Sequence, residues 1–302
     1  MGVGTWQWGD RRVWQYGGDY AAGDVRSAFD AALAAGLTFF DTAEIYGFGR
    51  SERFLGEFIN TPSRVPGPAG AARLRIATKF FPMPWRLTGA SLLRALRGSL
   101  RRLGLPAVDL YQIHWPSPLL KIENLMDALA EAVAVGLTTA VGVSNYDLAQ
   151  TERAHAALAR RGVPLASNQV HYSLLNRRIE HSGLLARCAE RGITVIAYSP
   201  LEMGLLSGKY SPEHPPAGSR AGRYPPAYLA SIQPLLARLR AMGAAHGERT
   251  PAQVALNWTL CKGTLPIPGA KNAQQVAQNA GALNWRLTPA EVAELDEATE
   301  SL

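Results

Sequence analysis

Short apolar runs alternate with longer amphipathic segments along the whole chain. The runs are GVGTW (2–6), LTFFDTA (37–43), LRIATK (74–79), VDLYQIH (108–114), TTAVGVSN (138–145), LASNQV (165–170), TVIAYSP (194–200) and TLPIPG (264–269). Between them lie segments such as DVRSAFDAALAAG, ASLLRALRGSLRRLG and NLMDALAEAVAVG, with apolar residues at helical spacing and a glycine stop. Strands with few polar interior residues, each followed by a helix, predict a parallel sheet covered by helices. Eight such runs predict an α/β fold of the (β/α)8 TIM-barrel type, a parallel eight-stranded barrel, as a single domain over residues 1–302. Two Pro- and Gly-rich stretches, 61–73 and 209–228, are expected as loops, with helices resuming at about 231. The second follows the seventh strand on the face where barrels build active sites. Thr288, Pro289 and Glu291 supply a cap, a first-turn proline and an early acid for a final helix.

Composition changes this picture little. Of 302 residues, 47% are hydrophobic and 18% charged, as in ordinary globular chains. No apolar run approaches the ~18–20 residues needed to cross a bilayer, and no cleavable leader is evident, so no membrane partner is expected. The net charge of +7 comes from arginines scattered over amphipathic helices, which argues against nucleic acid and suits a solvated surface or an anionic cofactor. Cys188 and Cys261 are far apart and lack any ligand pattern, so neither a metal nor a disulfide framework is expected. Asn257-Trp258-Thr259 fits a glycosylation sequon but falls inside a helical pattern.

The polar residues fall at strand ends. Successive runs finish in Asp41, Lys79, His114, Ser144-Asn145, Asn168-Gln169 and Tyr198-Ser199. Each alone has a bland reading as a helix cap, a snorkelling lysine or a structural histidine. Barrel closure would point all six at one mouth, where barrel enzymes place catalysis. A buried carboxylate at Asp41 needs a cation, and Lys79 on the neighbouring strand is the simplest one. That ammonium would lie near Tyr46 and lower its pKa from about 10, toward the range of an efficient proton donor. His114 could hydrogen-bond the same reacting oxygen.

A phenol suits protonation of a growing alkoxide, which implies carbonyl reduction and a hydride source. No GxGxxG follows a strand, so a dinucleotide would need another route. IPGAKNAQQVAQN (267–279) offers a strand end, a Gly turn and a helix N-terminus carrying Lys271. Tyr198 could stack on a flat heterocycle, with Ser144, Asn145 and Gln169 available to a carboxamide.

FFDTAEIYGFGRSERFLG, IATKF, VDLYQIHWP, VGVSNY, SNQV, IAYSPL and PIPGAKNAQQVAQNAGAL together resemble the aldo-keto reductase superfamily over essentially the whole chain. PWRLT, RGVPLASNQVHYSLL and SGKYSPEHPPAG look like its plant, algal and cyanobacterial branch, which holds chloroplast aldo-keto reductases and the similar pyridoxal reductases. The resemblance implies NADPH bound without a Rossmann domain and a catalytic tetrad at Asp41, Tyr46, Lys79 and His114. Hydride would pass from nicotinamide C4 to the carbonyl carbon while Tyr46 gives the proton. Ser144, Asn145 and Gln169 would hold the carboxamide, Tyr198 would pack on the nicotinamide, and Thr5, Trp6 and Asp41 would border the cofactor. Ser199, Pro200, Leu201, Gly204 and Leu206 would line the pyrophosphate path. Gly269, Lys271, Gln275, Gln278 and Asn279 would enclose the adenosine half, with Lys271, Lys209 or Arg220 meeting the 2′-phosphate. Carbonyl detoxification in the chloroplast stroma, otherwise the cytoplasm, is the setting this branch implies; a monomer is the default expectation.

The chain departs from the family twice. Many members carry arginine where this chain has Gln275, with Lys271 a substitute charge. Members also open with a hairpin across the barrel floor; that hairpin is missing here, as expected of a fragment or a chain stripped of a plastid leader. Two other classes compete: a non-catalytic, cofactor-bound regulatory subunit like the potassium-channel β-subunits, and a hydrolytic barrel using Asp41 and His114. The first departs from the tetrad where this chain keeps His114; the second needs metal ligands or a paired carboxylate. Trp8, Phe81, Trp85 and Trp115, with Trp6, lie near strand ends and could form an aromatic substrate pocket. A broad aldehyde reductase is the first expectation and pyridoxal reduction the second.

Overall fold

All eight apolar runs become strands, and the computed structural model, which describes residues 1–61, 73–86, 88–217 and 222–300, joins them side by side in chain order. They are β1 (Val3–Gly4), β2 (Phe39–Asp41), β3 (Arg75–Phe80), β4 (Val108–Ile113), β5 (Thr138–Ser144), β6 (Leu165–His171), β7 (Thr194–Tyr198) and β8 (Leu265–Pro266). Every neighbouring pair is parallel. The Gly2 amide donates to Pro266 O and the Gly4 amide to Pro268 O, which closes β1 onto β8. The barrel expected from the sequence is formed.

Helices cover the outside. α1 (Ala22–Ala34), α2 (Arg50–Asn60), α3 (Gly89–Leu103), α4 (Ile122–Ala134) and α5 (Leu148–Ala159) follow β1 to β5 in turn. α6 (Arg178–His181) and α7 (Leu184–Glu190) follow β6, and α8 (Pro226–Ser231), α9 (Gln233–Ala245) and α10 (Pro251–Cys261) follow β7. α11 (Ala273–Ala280) and α12 (Pro289–Ala298) complete the described chain. Their amphipathic spacing decides which face is buried: on α3, Leu92, Leu96, Leu100 and Leu103 turn to the sheet. Thr288 and Glu291 cap α12 reciprocally, as the sequence predicts. α8 starts at Pro226, ahead of the expected position near 231, because a proline at the first helical position needs no N–H there. The 61–73 loop lies almost wholly outside the described residues. None of the described helices is long and apolar enough to cross a membrane.

The main core lies between sheet and helices; a small cluster of Ala77, Leu110, Ile196 and Ile267 fills the barrel itself. Strand alternation then sets Lys79, Gln112 and Tyr198 one step higher on the same inward faces. The barrel is therefore apolar below and polar above. Gly142 permits that close packing, since a Cβ there would stand 2.2 Å from Ser167 Oγ.

One sequence expectation needs correction here. Trp8, expected to line a substrate pocket, is wholly buried in the core against Phe40 and Phe58, with Nε1 donating to Ala270 O. The turn that brings the Trp8 amide back to Thr5 O reorients the side chain after β1. The Asn257 sequon lies inside α10, as its helical pattern predicts, and Asn257 is buried, its Nδ2 donating to Ala282 O and Trp285 O.

Candidate active site

Asp41 ends β2 and Lys79 lies next to the end of β3, both 1% exposed or less, and they form an ion pair. Lys79 Nζ also donates to Thr42 O at 2.9 Å and lies 3.3 Å from the Tyr46 hydroxyl. The second carboxylate oxygen of Asp41 accepts from Gln169 Nε2 at 2.8 Å and Gln112 Nε2 at 3.2 Å. The charge is thus paired and its remaining acceptor filled, as burial requires.

Tyr46 opens a short turn, Tyr46–Gly49, with left-handed backbone at Gly47 and Phe48. A side chain at Gly47 would meet Gly9 O at 2.7 Å, so the glycine lets this turn seat against the β1–α1 loop. The Tyr46 ring lies flat against Trp6, with centroids 6.2 Å apart, and edge-on to His114 at 5.6 Å. Phe81 packs edge-on to His114 at the same separation. Glu44 accepts from the Phe81 amide at 2.7 Å and is ion-paired with Arg86, fixing the β3–α3 loop beside the tyrosine.

The electrostatics differ from the sequence expectation in sign. Burial raises the Tyr46 pKa above its ordinary value; Lys79 pulls it down and Asp41 pushes it up, and burial prevails. The phenol therefore keeps its proton near neutrality, with Lys79 acting in the opposite direction, toward the phenolate. Burial also opposes charge on Lys79, but Asp41 more than offsets it and holds the ammonium above its usual pKa. Burial, then the Lys79 charge, lowers the His114 pKa well below its ordinary value. His114 is neutral, with Nδ1 buried and without a partner among the described residues.

A cavity of about 1070 Å3 opens above this layer. It is bordered by Thr5, Trp6, Asp41, Tyr46, His114, Ser144, Asn145, Gln169, Tyr198, Ser199, Pro200, Leu201, Gly204 and Lys209. Gly269, Lys271, Gln275, Gln278, Asn279, Phe81 and Trp115 complete the sequence-predicted set found there. Three are elsewhere. Leu206 is fully buried in the core, Trp8 is in the core as described, and Trp85 is 75% exposed on the β3–α3 loop away from the cavity. Arg220 lies outside the described residues.

Polar groups knit the rim. Ser144 Oγ donates to Gln169 O, Asn145 Nδ2 to His114 O, and the Tyr198 hydroxyl to Asn145 Oδ1 at 2.9 Å. His171 stacks on Tyr198, 5.3 Å between centroids, and bonds Glu202, which also accepts from Ser173. Asn272 caps α11, and Gln275 Oε1 accepts from the Lys271 amide. Sequence reasoning missed Gln112, Arg86 and the His171–Glu202 pair. Gln112 and His171 stand two residues from His114 and Gln169, so strand alternation could have found them; nothing local signals Arg86 as the partner of Glu44.

A protonated phenol beside a buried ammonium thus lies at the foot of a large cavity at the barrel mouth. The aldo/keto reductase family model matches residues 1–300, and the chain belongs to this family of oxidoreductases. It is 41% identical to the chloroplastic pyridoxal reductase of Arabidopsis thaliana, covering 99% of this chain and 83% of that protein. It is 33% identical to the aldo-keto reductase yakc [NADP(+)] of Schizosaccharomyces pombe, covering 89% and 81%. The crystal structure of an aldo/keto reductase from Klebsiella pneumoniae in complex with NADP and acetate superposes with a TM-score of 0.74 at 31% identity, covering 98% of this chain and 89% of that one.

Proposed function

We propose that the protein reduces aldehydes and ketones to alcohols with NADPH, Tyr46 giving the proton. The observation carrying this reading is the Tyr46 hydroxyl 3.3 Å from the buried Lys79 ammonium, beside neutral His114 in the cavity. The cavity chemistry suits the cofactor: Lys209, Arg223 and Lys271 border it, and Gln7, against which Gly269 packs too closely for any Cβ, has a buried amide oxygen without a partner among the described residues. When bound, the cofactor supplies the hydride. Tyr198 offers a flat face, Ser144, Asn145 and Gln169 offer amide and hydroxyl groups, and Lys271 stands at the N-terminus of α11 for a phosphate. Tyr46 holds a proton at its hydroxyl and delivers it to the carbonyl oxygen; Lys79 stabilises the phenolate that remains. Neutral His114 orients the same oxygen without adding a competing charge. Trp6, Phe81 and Trp115 border the substrate end.

The first reading is a broad aldehyde reductase. Pyridoxal reduction is the second, favoured by the 41% identity to the Arabidopsis enzyme. Steady-state kcat/KM for pyridoxal against small neutral aldehydes tests the order. A preference for pyridoxal of ~100-fold, about 2.7 kcal/mol, would reverse it.

A further inference from the structure

The turn between β1 and α1 brings Arg11 and Arg12 to the border of the cavity that contains Tyr46. Asp10 folds this turn by accepting from the amides of Val13 at 2.7 Å and Trp14 at 3.2 Å. Arg50 fastens it to α2 by donating to Gly9 O at 2.9 Å, and Gly47 packs against the same carbonyl. The Arg12 guanidinium lies over the Phe48 ring, 5.5 Å from its centroid, two residues beyond Tyr46 in the chain. Arg12 is therefore held at the tyrosine side of the mouth, and exposed Arg11 precedes it on the same turn.

Neither has an ion pair among the described residues. The carboxylates nearby are already engaged: Asp41 by Lys79, Glu44 by Arg86, Glu202 by His171 and Ser173, and Asp10 by turn amides. Of the other cations at the cavity, Arg50 is engaged by Gly9 O, and Lys209, Arg223 and Lys271 come from the loops after β7 and β8, where the cofactor is proposed to bind. Two unmatched guanidinium forks beside exposed aromatic walls form a receptor for a planar molecule with an acidic group.

We propose that Arg11 and Arg12 bind an anionic group on the substrate, so that the enzyme selects aromatic aldehydes bearing a carboxylate or phosphate. The inference rests on the carbonyl-reductase reading and names its substrate class. Charge-assisted contacts at an open rim are worth about tenfold in affinity each and weaken with salt.

The test compares benzaldehyde, 4-carboxybenzaldehyde and 4-formylphenyl phosphate at saturating NADPH, in the parent enzyme and in Arg11→Gln/Arg12→Gln. The expected result is a fall of about 10- to 100-fold in the anionic-to-neutral ratio of kcat/KM, carried by KM and shrinking at high salt. The carboxylate and phosphate arms show which anion is preferred, and a fall in either supports the inference. A ratio unmoved within about twofold in both arms overturns it. So does an equal rise in the KM for NADPH with all three aldehydes, which would assign the arginines to the cofactor. If the parent reduces none of the three, the carbonyl-reductase reading fails and takes this inference with it.

Discussion

Replacing Lys79 with methionine leaves the Asp41 carboxylate buried without its cation. The Gln112 and Gln169 amides still donate to one carboxylate oxygen, at 3.2 and 2.8 Å, while the oxygen facing Lys79 loses its partner. Thr42 O loses a donor as well. Breaking a buried ion pair by deleting one member costs about 3–5 kcal/mol. Protonation sets a ceiling: neutralising an ordinary carboxyl at pH 7 costs about 4 kcal/mol. The expected loss for Lys79→Met is therefore about 3–4 kcal/mol at pH 7. In that variant burial disfavours the lone carboxylate charge in the folded form and not in the unfolded one, so lowering the pH relieves a penalty that only the folded form carries. The deficit should accordingly shrink by up to about 1.4 kcal/mol per unit as pH falls from 7 towards 5. Adding Asp41→Asn removes the stranded charge, and the double variant should be at least ~2 kcal/mol more stable than Lys79→Met at pH 7. Urea unfolding followed by tryptophan fluorescence at both pH values measures all three chains. A Lys79→Met deficit below ~1 kcal/mol, or one that does not change with pH, would refute the reasoning.

His114 gives a second pH signature. Its folded-state pKa is lowered by burial and Lys79, so the unfolded chain binds the proton first as pH drops below about 6.5. Stability should fall by up to about 1.4 kcal/mol per unit there, and the difference in urea midpoint between the parent and His114→Gln should narrow in step; a constant difference would contradict this. Lys271→Met should raise the KM for NADPH about tenfold and the KM for NADH less than about twofold, measured with one aldehyde at saturation. Equal effects on both would remove Lys271 from the 2′-phosphate site.

The barrel was legible because parallel strands buried on both faces read as apolar runs followed by helical periods, several of them with a glycine stop. The clustering of the proposed catalytic residues was legible for a related reason: Asp41, Lys79 and His114 interrupt apolar runs at the end where barrel strands present chemistry. Trp6 and Trp8 were not separable by alternation, since the chain leaves β1 at Gly4 and a turn sends one ring to Tyr46 and the other into the core. The sign of the Tyr46 shift was hidden too. The sequence identifies the ammonium that lowers the pKa but not the depth of burial that raises it further. Glu44 stood out as an acid in FFDTAEIY, yet its partner Arg86 lies 42 residues away.

The central claim is that the Tyr46 hydroxyl delivers the proton. Tyr46→Phe, assayed by NADPH oxidation with a reactive aldehyde and by NADPH fluorescence titration, tests it most directly. The account predicts a kcat lower by about 100- to 10,000-fold with the Kd for NADPH within about threefold of the parent. A variant that still turns over within about fivefold of the parent would contradict it.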